Sequence, residues 1–226
     1  MAKLYFRYGA MNSGKSTSLL QAAFNYEERG QRVLLAKPVT DTKGDDEIVS
    51  RLGVTRRADL LIGPGDELRT RFHQYAAAEE PGTLLEAFEY EPAGDSVSEG
   101  FRAGIRPVAC LLLDEAQFLT PAQVDDLLRI AVLDEVPVLA YGIRTDFRTR
   151  AFPGSARLMD LAHSLEELKT ICRCGRKALF NTRRDGDRIV FDGDQVAIDS
   201  GEAGGEVWYE SLCAACYLEV SGGRLG

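Results

Sequence analysis

The fold of this chain is set by the segment Gly9-Ala-Met-Asn-Ser-Gly-Lys-Ser16, which matches the phosphate-loop pattern G-x-x-x-x-G-K-[ST]. A strand-like segment, residues 3–8, comes directly before it, and a helical pattern over residues 15–29 follows it. In such a loop the glycines let backbone N–H groups close around phosphate oxygens, Lys15 supplies positive charge, and the Ser16 hydroxyl ligates Mg²⁺. The predicted nucleotide-binding residues are Gly9, Ala10, Met11, Asn12, Ser13, Gly14, Lys15 and Ser16.

A second part of the nucleotide site is predicted where the apolar run Val108–Leu113 ends in two acids. Asp114 is the candidate to hold Mg²⁺ beside Ser16, because a carboxylate at the end of such a strand faces the phosphate loop. Glu115 is the candidate to accept a proton from an attacking hydroxyl or water. Gln117 is a further candidate for a nucleotide contact. These residues leave the reaction open, because ATPases and kinases share this arrangement.

Strand-like runs alternate with helical patterns over most of the chain. Residues 31–37 and 136–141 are typical of buried strands, and Thr120-Pro121 predicts a helix start with an N-cap followed by proline. This alternation predicts an α/β fold, a P-loop (RecA-like) parallel sheet with helices on both faces. From residue 168 short β-like runs surround cysteines instead. We therefore expect a nucleotide-binding core over 1–167 and a small metal-binding domain over 168–226.

Four cysteines stand in two close pairs, Cys172-Arg-Cys174 and Cys213-Ala-Ala-Cys216. Four thiolates suit tetrahedral Zn²⁺ and leave no open coordination position, so the predicted metal is structural. Gly175 supplies the turn that such a knuckle needs. Zinc would join the ends of residues 176–212 and make them a lasso across a substrate. The fifth cysteine, Cys110, lies in an apolar run and is predicted to be a core residue. The predicted zinc ligands are Cys172, Cys174, Cys213 and Cys216.

Aromatic side chains follow the predicted strands on loops, where ligands bind in open α/β sheets. Phe118 comes directly after the two acids, and Phe147 and Phe152 follow the strand over 136–141. Together they are candidates for an apolar slot that holds a flat ring.

Composition excludes several classes of protein. The chain has 226 residues and a net charge of −8, which disfavours a nucleic-acid partner. The arginine pairs Arg56-Arg57 and Arg183-Arg184 are interpreted as solvated surface or local phosphate contacts. Without a long apolar segment, we expect a cytoplasmic protein with no membrane contact. Residues 41–44 are predicted to form a flap over the phosphate loop, and residues 91–100 an exposed insertion.

In this order the motifs resemble the type II (cytosolic-type) thymidine kinases, and especially their bacterial members. The resemblance covers nearly the whole chain. It rests on residues 9–16, Lys37–Lys43, Asp114–Phe118, Tyr141–Arg148, Ile171–Ala178, Tyr209 and Cys213–Cys216.

The resemblance implies transfer of phosphate from ATP to the 5′-hydroxyl of thymidine, with Mg²⁺ and structural Zn²⁺, in a homotetramer. Deoxyuridine is left open as a second substrate. The resemblance implies that Glu115 is the general base. From their own chemistry, Lys15 is predicted to stabilise the transferring phosphoryl group, and Arg148, which follows the aromatic residue Phe147, is a candidate phosphate contact. The residues implied to bind the nucleoside are Met11, Phe118, Ile143, Phe147, Phe152, Ala197, Ile198 and Tyr209.

The chain departs from the family pattern in three places. Lys43 stands where members commonly have arginine, which replaces a planar fork with a point charge. Residues 91–104 lengthen the approach to the acidic strand, and Asp199–Ala203 lengthen the lasso around Ala197 and Ile198. Two other functions are kept as alternatives: a RecA-like ATPase whose zinc knuckle binds a protein, and a kinase of another small alcohol.

Overall fold

The computed structural model describes residues 1–40, 45–78, 107–186, 188–191 and 207–226. In these ranges no helix is long and apolar enough to cross a membrane. The helices are α1 (Lys15–Glu27), α2 (Leu68–Ala76), α3 (Pro121–Leu133), α4 (Pro153–Leu161) and α5 (Ala214–Ser221), with a short 3₁₀ turn at Ala116–Phe118. The strands are β1 (Leu4–Tyr8), β2 (Arg32–Pro38), β3 (Glu47–Val49), β4 (Thr55–Arg57), β5 (Leu60–Ile62), β6 (Val108–Leu113), β7 (Val138–Gly142), β8 (Ser164–Glu167), β9 (Thr170–Ile171), β10 (Lys177–Ala178), β11 (Phe180–Asp185), β12 (Arg188–Val190) and β13 (Val207–Leu212).

Six strands form the central sheet, in the order β5-β2-β6-β7-β1-β8. Every pair in this sheet is parallel. Tyr8 at the end of β1 pairs with Gly142 at the end of β7, and Leu113 of β6 pairs with Ala140. The predicted α/β fold with a parallel sheet is confirmed, and the carboxyl ends of β1, β6 and β7 lie at one edge.

Successive residues of β6 point to opposite faces of the sheet, which explains its continuous apolar sequence. Leu111 and Leu113 join the core under α3 and α4, whereas Cys110 and Leu112 join the core under α1. Burial raises the pKa of the Cys110 thiol to about 12, so this sulfur stays protonated at neutral pH. Its predicted place in the core is confirmed.

The predicted start of α3 is also confirmed, and it has a reciprocal cap. The Gln123 N–H donates to the Thr120 hydroxyl at 3.3 Å, and the Thr120 N–H donates to the Gln123 side-chain oxygen at 3.0 Å. The Gln123 amide also donates to the Gly63 carbonyl at 2.7 Å. One side chain thus caps the helix and ties its first turn to the chain after β5.

The position of Arg56 differs from the interpretation of the arginine pairs as solvated surface or local phosphate contacts. Its side chain is 8% exposed, with Nη1 lying 2.7 Å from the Glu27 carboxylate of α1 and Nη2 3.8 Å from Asp59. Asp59 also accepts the Leu35 N–H at 2.7 Å. The predicted solvated position is wrong for Arg56 because two buried carboxylates surround the guanidinium, whereas Arg57 is exposed as predicted. The ion pairs fasten the β3–β4 hairpin to α1.

Elements after Thr170 pair outside the central sheet. Strands β9 and β10 form one hairpin, and β12-β11-β13 form an antiparallel sheet beside α5. Strands β11 and β12 form a hairpin after Arg184, whereas the residues of the predicted flap at 41–44 and of the predicted insertion at 91–100 lie outside the described residues. A small core joins this region, formed by Cys172, Ala178, Leu212, Cys213 and Tyr217.

Gly154 lies in the first turn of α4, where that helix comes close to the 3₁₀ turn and the residue after it. A Cβ at this position would lie 2.6 Å from the Leu119 carbonyl oxygen and 2.9 Å from that of Ala116. Because backbone atoms cannot easily move away, we expect Gly154→Ala to lower the free energy of unfolding by about 1–3 kcal/mol, measured by denaturant titration.

Gly65→Ala is the matched control, because a Cβ there meets no heavy atom within 4 Å. It should leave the free energy of unfolding unchanged or raise it by up to about 1 kcal/mol. Equal destabilisation by both variants would contradict the close approach of α4.

Candidate active site

The phosphate-loop residues connect β1 to α1 in the shape of an anion-binding turn. Asn12 and Gly14 have left-handed backbone conformations, with φ of 66° and 76°, which direct successive N–H groups to one side. In the part of the chain that the structure describes, no side chain caps the N-terminus of α1. The positive end of α1 therefore adds to the field at the loop. Lys15 is 7% exposed and donates from Nζ to the Ala10 carbonyl at 3.1 Å.

Two neighbouring carboxylates follow β6. Asp114 is 4% exposed and accepts a hydrogen bond from the Ser16 hydroxyl. Burial, and then the adjacent Glu115 charge, raise the pKa of Asp114 to about 7, against the opposing effects of Ser16 and Lys15. Oxygen donors on a carboxylate and a hydroxyl, placed beside a phosphate loop, are the set that Mg²⁺ prefers. Ser16 and Asp114 fit the predicted magnesium site.

Glu115 has a left-handed backbone with φ of 49°, which is uncommon for a residue with a side chain. Strained conformations of this kind concentrate at functional sites. The Gln117 side chain, 2% exposed, donates from Nε2 to the Glu115 carboxylate and accepts the Ile143 N–H at 3.1 Å. Gln117 therefore fixes the acid relative to the loop after β7, and its predicted nucleotide contact stays a prediction.

The structure brings two of the three predicted aromatic residues together. The rings of Phe118 and Phe152 meet edge to face, with centroids 5.7 Å apart. Phe147 is 2% exposed and lies beneath the guanidinium groups of Arg148 and Arg183, whose central carbons are 5.3 and 5.0 Å from its ring centroid. Phe118 and Phe152 thus pack together, whereas Phe147 packs under two guanidinium groups, and the slot for a flat ring stays a prediction.

The four paired cysteines converge, as their spacing predicts. Their sulfur atoms all lie within 4.8 Å of one another, and none forms a disulfide. Zinc bound at about 2.3 Å by four thiolates would separate the sulfurs by about 3.8 Å, so the set fits this metal. The Cys216 N–H, donated to the Cys213 sulfur, lowers the pKa of Cys213 to about 6 and favours the thiolate. Gly175 turns between the ligands with φ of 83°.

Two side chains that the sequence analysis does not identify reach the phosphate loop from the three-stranded sheet β12-β11-β13, which we call the smaller sheet. Asn181 on β11 accepts the Met11 N–H at 2.7 Å, and Ser211 on β13 donates to the Met11 carbonyl at 2.6 Å. Both are buried. A polar residue within a strand carries no local signal of the loop it will meet, so only the tertiary structure identifies these contacts.

The remaining predicted residues divide between two groups. Tyr209 lies in β13, opposite Arg183 of β11. Ala197 and Ile198 of the lasso, together with Lys43 of the predicted flap, lie outside the described residues. The roles of these residues stay predictions.

Comparison with known proteins agrees with the resemblance of the motifs. Residues 2–64 and 66–217 match the family model described as thymidine kinase. The thymidine kinase of Ruegeria pomeroyi is 42% identical over 224 residues, which cover 98% of this chain and 96% of that protein. That of Chromobacterium violaceum is 42% identical over 219 residues, covering 96% and 98%. That of Legionella pneumophila (strain Lens) is 43% identical over 228 residues, covering 100% and 92%. The resemblance of the motifs is confirmed, and the chain belongs to the thymidine kinase family.

Proposed function

We propose that this chain is a thymidine kinase that transfers the γ-phosphoryl group of ATP to the 5′-hydroxyl of thymidine. Family membership supports the reaction and the substrate. The observation that carries the assignment of roles is the Gln117 bridge between Glu115 and Ile143. It ties the Glu115 carboxylate to the loop after β7, while the adjacent Asp114 accepts a hydrogen bond from Ser16 of the phosphate loop. This arrangement supports the proposal that the acceptor hydroxyl meets the γ-phosphate beside Glu115.

In this proposal Glu115 accepts the proton of the 5′-hydroxyl as the oxygen attacks phosphorus. Lys15 and the loop N–H groups stabilise the charge on the transferring phosphoryl group, because they are fixed in place before the reaction. Mg²⁺, held by Ser16 and Asp114, would neutralise charge on the phosphate oxygens. The half-buried position of Glu115 keeps its carboxylate accessible to a substrate.

The nucleoside is proposed to bind at the aromatic loops. The edge-to-face pair of Phe118 and Phe152 offers an apolar surface for the base. The other proposed contacts come from the phosphate loop, the loop after β7 and the lasso, and are Met11, Ile143, Phe147, Ala197, Ile198 and Tyr209.

Further proposals concern the molecule as a whole. We propose that the metal at the four cysteines is Zn²⁺, that the kinase core spans 1–167 and that the zinc-clipped lasso spans 168–226. Thymidine is the proposed substrate, with deoxyuridine as an alternative, and no nucleic acid is a partner. A cytoplasmic homotetramer is the proposed form.

The reaction is tested by ADP release from Mg-ATP with thymidine, deoxyuridine, deoxycytidine, deoxyguanosine or no acceptor. We expect strong stimulation by thymidine and none by deoxycytidine or deoxyguanosine, because the aromatic surface and lasso select the base. ADP release at the same rate without an acceptor would instead indicate an ATPase.

Glu115→Gln tests the general base. Glutamine keeps the size of the side chain and an oxygen that can accept from Gln117, but it cannot take up a proton. We expect kcat to fall by about 10²–10⁴-fold. Affinity for a non-hydrolysable ATP analogue, measured by calorimetry, should stay close to that of the wild type. Turnover within a few-fold of wild type would exclude Glu115 from this role.

The metal site is tested by the metal content of two cysteine variants. Cys213→Ala should purify with less than one equivalent of zinc, because three thiolates no longer complete the tetrahedron. We expect this variant to lose thymidine affinity and to be cleaved faster by trypsin after residue 168. Cys110→Ala removes a thiol outside the cluster and should keep one zinc per chain. Equal zinc content in both variants would contradict the assignment.

A further inference from the structure

Met11 in the phosphate loop is held on both of its backbone polar groups by the smaller sheet. Its N–H donates to Asn181 Oδ1 at 2.7 Å, and its carbonyl accepts from Ser211 Oγ at 2.6 Å. Asn181 is 3% exposed and Ser211 is 9% exposed. We call these two side chains the Met11 clamp.

The clamp has a defined geometry because its two residues face each other. Asn181 and Ser211 are register partners in the β11–β13 pair. The Met11 N–H requires the oxygen of the Asn181 amide on its side, which directs the amide nitrogen to the Thr145 carbonyl at 3.4 Å. Asn181 therefore joins two loops to one strand: the phosphate loop, and the loop after β7 that carries Phe147 and Phe152, which we call the aromatic loop.

Other contacts fix the first half of the phosphate loop from outside. The Gly9 N–H donates to the Gly142 carbonyl at 3.3 Å, and the Thr170 hydroxyl donates to the Asn12 carbonyl at 3.3 Å. The second half enters α1, where helical hydrogen bonds begin with the Ser18 N–H and the Gly14 carbonyl at 2.9 Å. The helix thus shapes the second half of the loop, whereas the first half depends on hydrogen bonds to other segments.

We propose that Asn181 and Ser211 are positioning residues that hold the phosphate loop in its nucleotide-binding shape before ATP arrives. A loop fixed in advance spends less of its binding free energy on ordering. The clamp acts on the same reaction as the proposed function and rests on it. It touches neither reacting atom, so its effect should appear in ATP affinity before it appears in kcat.

A purely structural role for these residues makes a different prediction. If they stabilised only the smaller sheet, any buried hydrogen bond between β11 and β13 would serve as well. Thr182 offers that comparison, because it is fully buried and its hydroxyl donates to the Glu210 carbonyl of β13 at 3.1 Å. Thr182→Val removes this bond between the same two strands and keeps the shape of the side chain.

The test measures the Kd of a non-hydrolysable ATP analogue by calorimetry, with KM, kcat and the thermal midpoint, on the zinc-loaded protein. Ser211→Ala and Asn181→Ala should each raise the Kd and the KM for ATP by about three- to tenfold, as expected for one lost buried hydrogen bond. The kcat at saturating ATP should change by less than about twofold.

Two variants separate positioning from stability. Ser211→Thr keeps a hydroxyl and should restore a Kd within about twofold of wild type. Thr182→Val should lower the thermal midpoint to a similar extent as Ser211→Ala, yet leave the Kd within about twofold of wild type. The serine pair decides the question even where Asn181→Ala does not fold.

The proposal is overturned if Ser211→Ala binds the analogue as tightly as wild type, or if Thr182→Val weakens binding to the same degree. Failure of the proposed function looks different. In that case the wild-type protein does not phosphorylate thymidine, while the Kd values still separate the serine and threonine variants.

Discussion

The parallel pairing of β1, β6 and β7 is the constraint on which the rest of the site depends. Tyr8 pairs with Gly142 across β1 and β7, and Leu113 pairs with Ala140 across β6 and β7. The three strands therefore end at one edge, and the phosphate loop, the two acids and the aromatic loop leave the sheet side by side. No contact between the loops is needed to bring them together. Their fine positions are a separate problem, because loops lie beyond the ladder of the sheet.

Backbone polar groups at that edge must find partners that the strands no longer supply. The structure provides these partners with two buried amide side chains, each of which forms hydrogen bonds to two chain segments. Gln117 binds both Glu115 and the Ile143 N–H, and Asn181 binds both the Met11 N–H and the Thr145 carbonyl. A buried amide that is satisfied on both ends fixes the spacing of the two groups it joins. The spacing of these segments is thus set by side chains other than the proposed reacting groups.

The parts of this arrangement that sequence predicts are those whose cause is local. The phosphate loop is one continuous segment, the α3 cap uses neighbouring residues, and β6 is apolar because both of its faces are covered. The prediction for Arg56 is wrong because a pair of arginines resembles solvated surface, and its closest partner, Glu27, lies on α1. The contacts of the Met11 clamp are not predicted from the sequence for the same reason. Asn181 and Ser211 lie far along the chain from Met11, and only strand pairing brings them to it.

The proposed positioning role of the clamp also implies a thermodynamic coupling between the cysteine cluster and the nucleotide site. Ser211 stands two residues before Cys213 on the same chain segment, and Leu212 between them lies in the small core with Cys172. A metal that orders this core orders the residue that holds the Met11 carbonyl. Linkage is reciprocal, so a ligand that favours the clamped loop must favour the metal-bound core by the same factor. In this proposal, zinc bound at the four cysteines would contribute to nucleotide affinity through the two hydrogen bonds of the Met11 clamp.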